Sequence, residues 1–233
     1  MKGLLTALAI TAAGLPMLAG VMALPRAGDP DAPVHAGVAA HVVAHGAEET
    51  GADNLVTAVL LGYRGYDTFG EVMIMFAALA AVMAVLAPQP GERRSADAGE
   101  VAISPVVAFV IRLLAPFIAA FAVLVVLRGH ISPGGGFQGG VILGALLVLL
   151  SVVTGRGQER PLLPPRESSW LQASGPLAFT FAALLGLATA GAVLGVPLDP
   201  AWARGAVMGV LELGIGIGTA TIILGLFLQM RGW

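Results

Sequence analysis

Thirteen residues in the middle of the chain, Arg128-Gly129-His130-Ile131-Ser132-Pro133-Gly134-Gly135-Gly136-Phe137-Gln138-Gly139-Gly140, separate two apolar runs that are each long enough to cross a lipid bilayer. An arginine, a histidine and six glycines at that place are a break in the hydrophobic pattern, not ordinary lipid-facing helix. Irregular backbone near membrane depth is tolerated only where protein or a water-filled cavity satisfies its amides and carbonyls. The turn therefore belongs inside an assembly, beside polar groups.

The remaining composition agrees with a bilayer as the solvent. Of 233 residues, 57% are hydrophobic and only 11% charged, against about 25% charged in a soluble domain. Apolar runs of spanning length cover Gly3–Leu24, Thr68–Ala87, Pro105–Leu127, Gly136–Val153, Pro176–Val196 and Gly205–Met230. The shorter run Asn54–Leu61 cannot span and reads as an interfacial or re-entrant half-helix that continues across the membrane from Thr68. The expected fold is an all-α integral membrane protein with about six transmembrane helices plus that half-helix. A Val21-Met22-Ala23 sequence resembling a cleavage site leaves removal of the first run as the alternative to its retention.

Charge sets the orientation. With Lys2 in the cytoplasm, Arg93, Arg94, Arg156, Arg160, Arg166 and Arg231 fall on the same side, and the acidic stretch holding Asp29, Asp31, Glu48, Glu49 and Asp53 falls outside. The positive-inside rule thus favours six spans with both ends cytoplasmic. The polar segment 88–104 divides the chain into an N-terminal membrane part, residues 1–87, and a four-helix part, residues 105–233.

Whole classes of function drop out. There is no cysteine, hence no disulfide, thiolate metal site or cysteine nucleophile. A net charge of −2 with scattered bases offers no face for nucleic acid. The glycines of the turn follow no strand and lack the phosphate-loop Lys-Ser/Thr pattern. No nucleophile–base constellation or cofactor motif is present, so neither independent catalysis nor a cofactor is expected. His35, His41 and His45, with Glu48 or Glu49, are metal-like in composition, but they sit in what reads as a solvated external loop, and no metal is expected there.

A few polar residues remain at membrane depth. Asp67 and Glu71 are spaced i, i+4 and share a helix face. Asp67 reads as an N-cap before Thr68. Glu71, a turn further in, is either a helix-end acid favoured by the backbone dipole or part of an ion path. Glu212 lies among Gly205, Gly209, Gly214, Gly216 and Gly218. It reads as a buried acid partnered by Arg204 or by a neighbouring subunit, the alternative being a side chain that snorkels outward. His130 either relays protons or fixes the turn through a hydrogen bond. Ser132 and Pro133 suit the N-cap and first position of the next helix. Gly134, Gly135, Gly136, Gly139 and Gly140 allow close packing. Arg112 reads as an arginine snorkelling to headgroups, or as a counter-charge.

The segment Gly129–Gly140, followed by a helix containing Glu212-Leu213-Gly214-Ile215-Gly216, resembles the MnhB/MrpB subunit of Mrp-type multisubunit cation/proton antiporters. Arg64-Gly65-Tyr66-Asp67-Thr68-Phe69-Gly70-Glu71 is similar to the C-terminal tail of the large MrpA subunit, which stands as a separate small protein in related membrane-bound hydrogenases. The resemblance implies an accessory subunit of a sodium/proton antiporter in a bacterial or archaeal cell membrane. Its partners would be the other Mrp-type subunits, sodium ions and protons, with Glu71, Asp67, Glu212 and His130 on an ion or proton path. No lysine follows Lys2, so the lysine axis of the large pumping subunits is not supplied here. The same module in a redox-driven complex, or a purely structural scaffold, are the competing readings.

Overall fold

The computed structural model describes residues 2–86, 103–155, 162–195 and 201–230. These group into two compact units, residues 1–44 and 45–233. The linker 88–102 and the arginines Arg93, Arg94, Arg156, Arg160 and Arg231 lie outside the described residues.

In the first unit, α1 (Lys2–Met22) is a spanning-length apolar helix with no buried residue between Gly3 and Met22. The stretch expected to be a solvated loop is largely helical instead: α2 runs from Gly37 to Thr50, its last six residues belonging to the second unit. Ala39, Ala40, Ala44 and Ala47 explain this, because alanine is the strongest helix former and the neighbouring charges do not oppose it. Among the described residues, no three His, Asp or Glu side chains are grouped closely enough to hold a metal ion.

In the second unit, the half-helix is one α-turn, α3 (Leu55–Thr57), running into a π-helical stretch over Ala58–Tyr63. Asn54 caps it by accepting a hydrogen bond from the Val56 amide at 3.0 Å. After a break at Arg64, α4 (Gly65–Val85) begins three residues earlier than the sequence suggested. Asp67 is therefore not an N-cap but a first-turn acid. The Thr68 hydroxyl bridges the break, donating to the Leu60 carbonyl at 2.7 Å.

Five further helices follow among the described residues: α5 (Pro105–Leu127), α6 (Gly136–Val153), the bent pair α7 (Pro165–Gln172) and α8 (Ser174–Ala190), and α9 (Ala201–Met230). Helices α1, α4, α5, α6 and α9 are each long and apolar enough to span. The α7–α8 pair is bent by 49° at its break, so the described residues hold five spanning-length helices, or six where that pair counts as one broken span. The chain is an all-α, multi-pass membrane protein.

Helix α9 is the axis of the second unit and packs against α4, α5, α6, α7 and α8. Its contact with α6 depends on missing side chains: a Cβ on Gly140 would lie 2.7 Å from the Gly216 carbonyl oxygen. Small residues let membrane helices approach to backbone contact, which replaces the hydrophobic driving force that lipid does not supply. The half-helix and α4 join this core through Leu61 and Val72, which cluster with Phe179, Met208, Leu211 and Ile215. The Phe69 ring stacks on Phe179 at 5.5 Å between centroids.

This seam is extensive enough to outlast the covalent link. A chain cut at a protease site inserted within segment 88–104 is expected to migrate as one species on a native gel in mild detergent. Separation of the two fragments would show that the linker, not the seam, holds them.

Candidate functional site

Residues 128–136 form the interruption foreseen between two spans, but helix α6 starts only at Gly136. Gly134 and Gly135 have φ of +151° and +146°, a backbone region that excludes helix and favours glycine. Ser132 and Pro133 therefore lie within the turn rather than at a helix start, and the Ser132 hydroxyl donates back to the Arg128 carbonyl at 3.2 Å.

The groups that satisfy this turn come from far away in sequence. The Asn54 side-chain amide donates to the carbonyls of Gly129 (2.8 Å) and Ser132 (3.0 Å). The Asn54 backbone amide donates to the His130 carbonyl at 3.1 Å. The Thr57 hydroxyl donates to the Gly129 carbonyl at 2.8 Å and also lies 3.3 Å from Glu212 Oε1. The Gly136 amide donates to Glu212 Oε2. That amide opens α6, so it has no intrahelical acceptor and sits at the positive end of the helix dipole.

Glu212 is thus buried, only 3% exposed, at the point where the half-helix, the glycine turn and α9 meet. Its hydrogen-bond partners are the Gly136 amide and the Thr57 hydroxyl, not the Arg204 that the sequence suggested. The carboxylate is held by neutral dipoles. Because Thr57 has one hydroxyl hydrogen and two acceptors within reach, the contact can alternate between Gly129 and Glu212 by rotation about a single bond.

The other sequence-predicted residues are not gathered here. Asp67 is half-exposed and paired with Arg64, whose Nε donates to Asp67 Oδ2 at 2.6 Å. Glu71 is exposed on the surface of α4, and Arg112 on that of α5. His130 belongs to the turn, but the bonds that fix the turn come from Asn54 and Thr57. The His130 Nδ1 atom is buried and makes no hydrogen bond among the described residues. Gly139 and Gly140 pack against α5 and α9, and a Cβ on Gly139 would collide with the Val126 side chain.

Sequence reasoning missed Asn54 and Thr57. The signal was there: two polar residues three apart at the start of an apolar run share a helix face. It also missed Tyr63, whose phenol donates to the Glu49 carboxylate and ties the end of α2 to the entrance of α4. That hydrogen bond, with some desolvation and repulsion from the Glu49 charge, pushes the phenol up from 10.0 to about 12.

Comparison with known proteins finds matches to two separate stretches of the chain. Residues 106–232 match the family described as a domain related to the MnhB subunit of Na+/H+ antiporter. Residues 6–98 match the MbhE family, described as one of the subunits of MBH. The cluster around Glu212 therefore draws Asn54 and Thr57 from one matched stretch and Gly129, Gly136 and Glu212 from the other. An uncharacterized protein of Methanocaldococcus jannaschii is 30% identical over 118 residues, covering 44% of this chain and 44% of that protein. A protein of Rhizobium meliloti, named as the probable A/B component of a K(+)/H(+) antiporter, is 27% identical over 183 residues, covering 68% of this chain and 18% of that protein. The chain thus spans less than half the length of either relative. Among solved structures, a chain of the membrane-bound sulfane sulfur reductase, an archaeal respiratory membrane complex, superposes with a TM-score of 0.74 at 29% identity. That match covers 98% of this chain and 97% of the other. A chain of the Mrp complex from Dietzia sp. DQ12-45-1b gives 0.62 at 26% identity, covering 96% of this chain and 26% of that one.

Two outcomes follow from the geometry. Gly136→Ala would put a methyl 2.5 Å from the Glu212 carbonyl oxygen and 2.7 Å from Ile215 Cβ, an overpacking expected to cost about 1–3 kcal/mol. Thermal unfolding should show the loss, and a variant as stable as wild type would contradict the close approach. The second concerns Tyr63. Its folded value exceeds its unfolded one, so the contribution of its bond to Glu49 is complete below pH 10 and is lost as pH rises toward about 12. Phenolate absorbance, read as the difference between wild type and Tyr63→Phe, should show that high midpoint. Glu49→Gln should bring it down toward 10, the ordinary phenol value.

Proposed function

The chain belongs to the family of domains related to the MnhB subunit of Na+/H+ antiporters, and from that membership we propose that it is an accessory subunit of a multisubunit sodium/proton antiporter. The observation that carries the reading is Glu212. A carboxylate at membrane depth is retained where it serves an ion route or a partner, and this one is buried at the seam between the two family-matching stretches. On this reading Asp67 and Glu71 take part in cation or proton handling at the surface of α4. Glu212 and His130 form the inner part of the route, at the turn. The chain would reside in the cell membrane with both termini cytoplasmic, would have no catalytic activity of its own, and would act only with its partner subunits.

A second reading places the same module in a redox-driven complex. It is supported by the superposition on the archaeal respiratory complex, which takes in nearly the whole of both chains. Cation choice is also open to measurement, since the Rhizobium meliloti relative is named for potassium.

The test uses inverted vesicles carrying the whole complex. Sodium-dependent proton antiport, with potassium in parallel, is compared between wild type and Glu71→Gln after intact assembly is checked on a native gel. Antiport is expected to fall by about a hundredfold or more, the scale on which a positioned proton-transfer group contributes. Undiminished antiport in an assembled variant would remove Glu71 from the route. Proton movement that needs an electron donor would favour the redox-driven reading.

A further inference from the structure

Helix α4 has one face packed by described residues of its own unit and one that they leave open. Thr68, Val72 and Leu79 are buried on the side that packs against α8 and α9. The other side carries Gly70, Ile74, Ala77 and Ala81, spaced i, i+4, i+7 and i+11, with Glu71 at their flank. Ile74 is 71% exposed, Glu71, Ala77 and Ala81 are exposed, and a Cβ at Gly70 would meet nothing within 4 Å. Glu71 lies six residues past Gly65, about 9 Å along the helix axis at 1.5 Å per residue. A carboxylate on a helix of spanning length is costly unless a partner or a water-filled cavity meets it.

No described residue answers it. Among the described residues Glu71 makes no hydrogen bond or ion pair, and Arg64, the base nearest to it in sequence, is engaged by Asp67. Resting on the antiporter-type reading above, we propose that this face docks a transmembrane helix of a partner subunit, which sets a lysine or arginine opposite Glu71. Glycine and alanine at 70, 77 and 81 allow the close approach, and the charge selects the partner. A second copy of α4 would oppose Glu71 with Glu71 and bring no free base. Lipid alone would leave the carboxylate unpaired.

The chain has no cysteine, so Ala81→Cys provides a single attachment point on it for a benzophenone crosslinker in the purified, intact complex. Illumination is expected to join this chain to one other subunit, at a membrane helix bearing a lysine or arginine about three turns from the crosslink, since Glu71 and Ala81 are ten residues apart. Glu71→Gln should lower that yield severalfold. Glu71→Lys should abolish it, and changing the partner's base to glutamate should restore it. Adducts to lipid only, to a second copy of the chain, or to a helix without such a base would overturn the docking proposal. Antiport by the unlabelled wild-type complex is scored separately. If it is present while the crosslink fails, the docking face alone is wrong. If it is absent, the functional reading itself falls.

Discussion

A break in a membrane helix leaves amides and carbonyls that hydrocarbon cannot bond, and an unsatisfied group at that depth costs several kcal/mol. Residues 128–136 are such a break, and their solution determines how the rest of the second unit is arranged. Asn54 supplies three hydrogen bonds to the turn, Thr57 a fourth, and Glu212 accepts the first amide of α6. These donors and the acceptor lie about 75 residues before and after the turn in sequence. The half-helix must therefore sit against the turn, and α9 must pass directly behind it. Once those three segments are fixed, the helices they belong to have little freedom left.

Close approach does the rest. In water, the α6–α9 pair would be held together largely by burial of apolar surface; in lipid that force is absent, and backbone-to-backbone contact must replace it. Gly136 and Gly140 on α6 face Glu212 and Gly216 on α9 at distances no side chain would permit, and Gly144 stands tightly against Ala220 and Ile223. The same glycines that let the helices touch also bring the Glu212 carboxylate within reach of the Gly136 amide. Packing and electrostatics at this site are one constraint, and a change in either disturbs both.

Much of the fold is legible in the sequence because bilayer thickness and apolar run length are simple arithmetic. All six apolar runs contain or nearly coincide with a helix, and the break at 128–136 shows in its glycines alone. The differences have local causes. The charges of the α2 region point to a loop, although its alanines decide the conformation. Capping preference puts the start of α6 at Ser132–Pro133, but Gly134 and Gly135 hold a positive φ that delays the helix by three residues. Sequence proximity matches Arg204 to Glu212, since no local rule points to an amide 76 residues away. Tertiary partners of a buried acid are invisible to periodicity, which reports faces and not what meets them.

The three acids Asp67, Glu71 and Glu212 look alike in sequence, each an isolated carboxylate in or beside an apolar run, yet their surroundings differ in kind. Asp67 is answered by Arg64 within its own helix turn. Glu212 is answered by dipoles from two distant segments, and its hydrogen bond from the Gly136 amide ties α9 to the glycine turn. Glu71 is left unanswered by the described residues, at a depth where lipid is a poor neighbour. An acid that its own chain satisfies can be explained by folding; one that it does not satisfy needs a neighbour or an ion. On that ground the second unit reads as an incomplete object: Glu212 is enclosed within it, while the described residues leave the Glu71 face of α4 open. On the proposed reading this is the physical sense in which an accessory subunit differs from an independent transporter, and the dependence on partners would lie at α4 rather than at the more unusual glycine turn.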